Sequence, residues 1–301
     1  MKFLKGLAVS LLSFLLFLSL SAFGSLFMLN NTILNPDFVV SELDRLDIPS
    51  LAKELLSEQI PQFEVAGPYE PYIAEVMDDT LDDLEPWIKE QVSSGIYSGY
   101  DYLLGRSQSL SLVISLEPVK DSLRENLREA LLQSPPPELK GLPPAVIEEA
   151  FNQSFAQFAK DMPSKFEFSE SSLSPEVLAQ LEQVRQWISY SQTVYQALIG
   201  FMLLLILGII LINRQVRQTT RGLGITFLTY GVLGFLSIFA AKYFAGTQLL
   251  QLEIPSWLQA WIPQFVDNLL APLEIFNIGV MAGGAVLLIV SFVYKRRQPS
   301  L

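Results

Sequence analysis

The 301-residue chain is half hydrophobic, only 17% charged, and carries a net charge of −11. It holds neither cysteine nor histidine, which excludes disulfides, thiolate nucleophiles, thiolate or imidazole metal ligands and the Ser-His-Asp triad. Any catalysis would have to run on carboxylates, Lys, Tyr or a Ser–Lys pair.

The charge is unevenly placed. Residues 30–193 hold 11 Lys and Arg against 28 Asp and Glu, a net −17, while the rest of the chain holds 9 against 3, a net +6. The apolar residues collect in four blocks, each long enough to cross a bilayer. These two patterns predict a mainly α, four-transmembrane-helix membrane protein with a large, acidic, mostly helical extracytoplasmic domain carrying a small two-stranded β element. An acidic surface repels nucleic acid, so that partner class is set aside.

The first block, 3–29, follows Lys2 and Lys5 and has no charge in its core. Ser21, Ala22 and Gly24 offer a signal-peptide reading. Signal-peptide apolar cores run about 7–15 residues and this one is longer, so it reads as an uncleaved anchor over 1–29.

Proline and glycine then divide 30–193 into helical stretches. Asn35-Pro36-Asp37 opens a short helix and Ser50 caps the next. Pro71 and Pro86 read as first-turn prolines, and Thr80 with Asp83 as a capping box. Pro118 opens a helix with Val119, Leu123, Leu127 and Leu131 on one face. A proline-rich connector, 134–144, leads to a helix whose apolar face is Ile147, Phe151, Phe155 and Phe158. Two period-two segments, SLSLVISL and KFEFS, predict a paired ribbon. Pro175 starts a helix with no breaker before the second span, so the two are expected to be continuous.

The remaining spans are placed at 194–212, 223–243 and 273–294, within a membrane region 194–301. Lys2 and Lys5, then Arg214, Arg217 and Arg221, then Lys295, Arg296 and Arg297 lie at alternate ends of the spans. The positive-inside rule makes all three sites cytoplasmic and 30–193 external. In the loop before the last span, Trp257, Leu258, Trp261, Ile262 and Phe265 read as an interfacial helix resting on the outer leaflet.

Candidate chemistry is sparse. Asp78, Asp79, Asp82, Asp83 and Glu85 are crowded enough to hold a divalent cation, but the spacing lacks a glycine turn and reads as a solvated acidic face. Phe151, Phe155 and Phe158 read as core. Asn30 and Asn152 each head a glycosylation-type triplet. Gly279 and Gly283 form a GxxxG, and with Gly231 and Gly234 they read as positions of close helix packing. Lys242 and Glu274 end neighbouring spans on the same side; either they pair at a shared depth, with Asn277 in reach of either, or each snorkels separately to water. No residue is singled out as catalytic, cofactor-binding or metal-ligating.

The layout of one span, a large outer domain and three further spans is similar to that of a class of ABC-transporter permeases, which would imply an ATPase docked on the link between spans two and three. Here that link, NRQVRQTTRG, is too short for a docking helix. The expected function is therefore a non-enzymatic binding or scaffold protein. It would use the bilayer and a protein as its partners and act through its extracytoplasmic domain. The alternative is a subunit of a permease-like transport complex.

Overall fold

A computed structural model describes residues 2–46, 70–135, 139–248 and 256–296. In chain order these form α1 (Lys2–Asn31), α2 (Pro36–Leu43), α3 (Glu70–Leu103), β1 (Ser111–Ser115), α4 (Glu117–Gln133), α5 (Pro144–Asp161), β2 (Lys165–Ser169), α6 (Pro175–Asn213), α7 (Val216–Gln248) and α8 (Ser256–Arg296). They belong to two compact units. One is Met1–Glu42 with Val184–Leu301, and the other is Leu43–Gln183.

Among the described residues four helices are long and apolar enough to cross a membrane: Phe3–Asn31, Pro175–Asn213, Val216–Thr247 and Trp261–Val293. Each apolar block of the sequence falls inside one of them to within a residue. Their common core is built from Leu16 and Leu20 of α1, Leu205 and Ile209 of α6, and Leu223 and Tyr230 of α7, with Phe276, Val280 and Leu287 of α8 packed against it. The inward residues in the second half of α6, Leu205, Ile209 and Asn213, recur at helical spacing.

The closest crossing is α7 on α8. A Cβ on Gly231 would stand 2.7 Å from Met281 Cβ and 2.8 Å from the Asn277 carbonyl, and one on Gly284 would stand 2.6 Å from the Leu228 nitrogen. Backbone therefore meets backbone there, which only glycine permits. The GxxxG expectation needs correcting: Gly279 and Gly283 have nothing within 4 Å of a would-be Cβ. Gly284, one residue on, is the glycine that turns toward α7.

In the unit Leu43–Gln183, β1 and β2 pair antiparallel, with Leu112 opposite Phe168 and Ile114 opposite Phe166. This is the ribbon that the two alternating segments predict. Opposed residues share a face, and Leu112 rests against Gly95 of α3 at 3.3 Å from its would-be Cβ. The Ser98 hydroxyl donates to the Ser111 carbonyl at 2.8 Å. The buried Tyr102 donates to Glu182 Oε1 at 2.8 Å, fixing α3 to the first turns of α6.

Proline punctuation holds at Pro36, Pro144 and Pro175, which each begin a helix, and at Pro118 in the first turn of α4. It fails at Pro86, which lies inside α3. An exposed proline leaves the preceding turn's carbonyl open to water, so the helix passes through it. Thr80 and Asp83 consequently sit mid-helix and form no capping box. The expected cap at Ser50 lies outside the described residues, as do 136–138 of the proline-rich connector. α6 runs unbroken from Pro175 to Asn213, as the missing breaker implies.

Candidate functional site: a polar cluster beside the α7–α8 hairpin

The last long helix departs most from expectation. No separate interfacial helix precedes it, because α8 begins at Ser256 and passes through Pro263 and Pro272. Its first turns therefore stand over the end of α7. The short helix α2 lies against them.

Lys242, near the end of α7, donates to Glu274 Oε2 at 2.9 Å and reaches Asp267 Oδ1 at 3.4 Å. Asp267 and Glu274 are seven residues apart, two turns on one face of α8. One flexible lysine therefore bridges both carboxylates. Lys242 and Glu274 are each about one-third exposed, and Asp267 is largely exposed. Of pairing and separate snorkelling, pairing is what is present, and Asp267 is an addition to it.

A second polar group lies on the next face. Glu42, at the end of α2, is 3% exposed. Asn268 donates its amide to Glu42 Oε1 at 2.9 Å, and the Trp261 indole donates to the Glu42 carbonyl at 3.3 Å. Trp261 stacks on Phe265, which in turn meets Phe38 of α2 with ring centroids 6.2 Å apart. Trp261 and Phe265 thus hold α2 in place, a packing role that the reading as outer-leaflet anchors did not contain.

Asn277, in reach of Lys242 or Glu274 by sequence, bonds to neither. It is 1% exposed and lies flat on Gly234, with both amide atoms 2.7 Å from the would-be Cβ. One turn separates it from Glu274, and that turn rotates it into the helix crossing. Its Oδ1 is left without a hydrogen-bond partner.

At the far end of the same helices the groups are basic. Lys5 of α1 donates to the Asn213 carbonyl, the last residue of α6, at 3.1 Å. An ammonium at a helix C-terminus meets the negative end of the helix dipole. Arg214, with φ of 53°, turns the chain back into α7 after two residues. Ser291 of α8 donates to the Arg217 carbonyl at 3.2 Å.

The acidic run of α3 is an outward face. Asp78, Asp79, Asp82 and Asp83 are exposed. Asp83 accepts from Asn126 at 3.0 Å and from Ser122 at 3.4 Å, while Asn126 also donates to the buried Thr80 hydroxyl at 3.2 Å. These bonds join α3 to α4. Among the described residues no three acidic side chains are grouped as metal ligands. Arg128 joins α4 to α5 by donating to Glu148 at 2.9 Å, and that bond, with Glu125 adding to it, holds the guanidinium above its ordinary pKa. Of the phenylalanine stripe, Phe155 is buried and Phe158 half-exposed. The Asn152 amide oxygen accepts from Arg124 at 2.8 Å. Thr32, which closes the other glycosylation-type triplet, is fully buried and bonded to the Met28 carbonyl.

No family model, curated protein or solved structure matches the chain.

Proposed function

We propose that the chain is a multi-pass membrane protein whose four apolar helices cross the bilayer, with both termini cytoplasmic and residues 30–193 extracytoplasmic. It acts without catalysis, as a binding or scaffold protein. Its acidic helical domain carries the interaction with a protein partner.

One observation supports this reading above the others: the pairing of unlike parts. A compact unit, Leu43–Gln183, is continuous in sequence with four helices that each carry exposed apolar side chains. The basic residues gather where the positive-inside rule places cytoplasm. Within the acidic unit Val113 and Phe166, on opposite faces of the ribbon, and Val146 and Phe158 of α5 are each about half exposed, which leaves apolar side chains for a partner to cover.

Photo-crosslinking in intact cells tests the reading. A photoreactive residue placed singly at Val113, Phe158 or Phe166 is expected to give a discrete adduct of fixed mass. If all three sites give no adduct while Arg217 gives one with an ATPase, the transport-subunit reading replaces this one.

A further inference from the structure

The four apolar helices carry a vertical scale, set by contacts that join them at two levels. At one level Lys5 of α1 meets the end of α6 at Asn213. At the other, Phe23 of α1 stacks on Tyr195 of α6 with centroids 4.8 Å apart and meets Phe276 of α8 at 5.5 Å. Phe276 in turn meets Tyr230 of α7. From Lys5 to Phe23 and from Tyr195 to Asn213 the separation is the same number of residues, about 27 Å of helix in each case. The two levels are therefore equally spaced along α1 and α6. Just beyond the ring level stand Glu274 and its partner Lys242. From Arg221 to Lys242 along α7, and from Tyr190 to Asn213 along α6, the rise is roughly 31–35 Å, close to the thickness of a bilayer's hydrocarbon.

The side chains change character at this level. Below it, the exposed face of α6 is aliphatic or Phe, through Val194, Phe201, Leu204 and Leu211. Above it, the same stripe continues as Tyr190 and Trp187, which are 67% and 68% exposed. On α7, Tyr243 is 69% exposed beside Lys242. By contrast, the indole of Trp261 is bonded within the protein. Exposed aliphatic side chains occur on each of the four helices: Leu7 and Leu11 on α1, Leu204 on α6, Leu236 on α7 and Val286 and Ile289 on α8. A single protein partner covers one side, whereas lipid covers all of them.

We propose that Trp187, Tyr190 and Tyr243 form a belt that binds the boundary between headgroups and acyl chains of one leaflet. The boundary layer begins at the Lys242–Glu274 pair, with Tyr243 at that level and Tyr190 and Trp187 about 4–9 Å further out along α6. Each ring is apolar in body and carries one polar atom, which suits a layer where hydrocarbon meets water. The pair neutralises its own charge at the depth where hydration begins to fail. It follows that the first turns of α8, with α2 docked on them, stand clear of the hydrocarbon. This inference rests on the membrane-spanning reading above.

Tryptophan depth quenching tests it on the full chain, reconstituted in phosphatidylcholine vesicles brominated either high or low on the acyl chain. Two proteins are compared: one retaining Trp187 alone, with Trp87, Trp257 and Trp261 changed to Phe, and one with all four changed to Phe and Leu204→Trp added. The belt predicts that Trp187 is quenched about twofold more by the shallow label than by the deep one, with the reverse for Leu204→Trp. Trp187→Phe in the otherwise native chain should remove the same shallow-quenched component, so the result does not depend on the multiple variants folding. If Leu204→Trp is quenched by the deep label and Trp187 by neither, or by the deep label equally, the belt is wrong and the spanning reading stands. If neither tryptophan is quenched by bromine, the spanning reading itself fails.

Discussion

The Lys242 ammonium and the Glu274 carboxylate, 2.9 Å apart, join the end of α7 to the middle of α8. Lys242→Ala and Glu274→Ala should each lower thermal stability in detergent. The double variant should cost less than the two added, with a coupling on the order of 1 kcal/mol. Asp267→Ala should matter less, because that carboxylate is 60% exposed and 3.4 Å away. Strict additivity between Lys242 and Glu274 would show that the contact carries no energy.

The glycines of the helix crossing make a paired comparison. Gly231→Ala drives a methyl into backbone atoms of α8, which cannot swing aside as a side chain end can. A loss of about 1–3 kcal/mol is expected. Gly279→Ala enters open space on the same pair of helices and should change stability by less than about 0.5 kcal/mol. Equal melting shifts for the two would mean that the crossing is not where the structure has it.

Glu42 anchors α2 through its side chain and its carbonyl. Glu42→Ala and Asn268→Ala each remove the same 2.9 Å bond, so their effects should overlap rather than add. Released α2 should also expose the chain near Arg45 to protease. Unchanged cleavage there in both variants would rule out a latch at this point.

In the acidic unit, Asn126→Ala strips the donor from the hydroxyl of Thr80, a residue only 7% exposed. An orphaned buried hydroxyl costs about 1–3 kcal/mol. Thr80→Val in the same chain removes the orphan and should recover part of that loss, as read by limited proteolysis of α3 and α4. No recovery would mean that Asn126 acts through Asp83 or Ser122 instead.

Much of this architecture is legible in the amino-acid sequence. Apolar block length finds the four long helices because burial or lipid contact demands it over twenty residues at a stretch. Alternation finds β1 and β2, and the lack of a breaker finds the continuity of α6. Charge position at neighbouring helix ends brings Lys242 and Glu274 to a similar depth but leaves pairing and separate snorkelling equally open. Three features escape for local reasons. Pro86 reads as a helix start and Pro272 as the boundary before the last span, yet a helix tolerates proline where the freed carbonyl finds another environment. Taking α8 to begin after Pro272 hides Asp267, although it stands two turns from Glu274 on the same face. The docking of α2 through Glu42 joins residues over two hundred positions apart, and no local periodicity records such a contact.

The membrane-spanning topology is the central claim, and the chain's lack of cysteine makes it directly testable. Single cysteines at Ser154, exposed on α5, and at Gln218, exposed in the first turn of α7, give one probe for each side. Intact cells are treated with a membrane-impermeant maleimide, then permeabilised and treated again. Ser154→Cys should label at once, and Gln218→Cys only after permeabilisation. Labelling of Gln218→Cys in intact cells with Ser154→Cys protected would invert the topology, and labelling of both would contradict a bilayer between them.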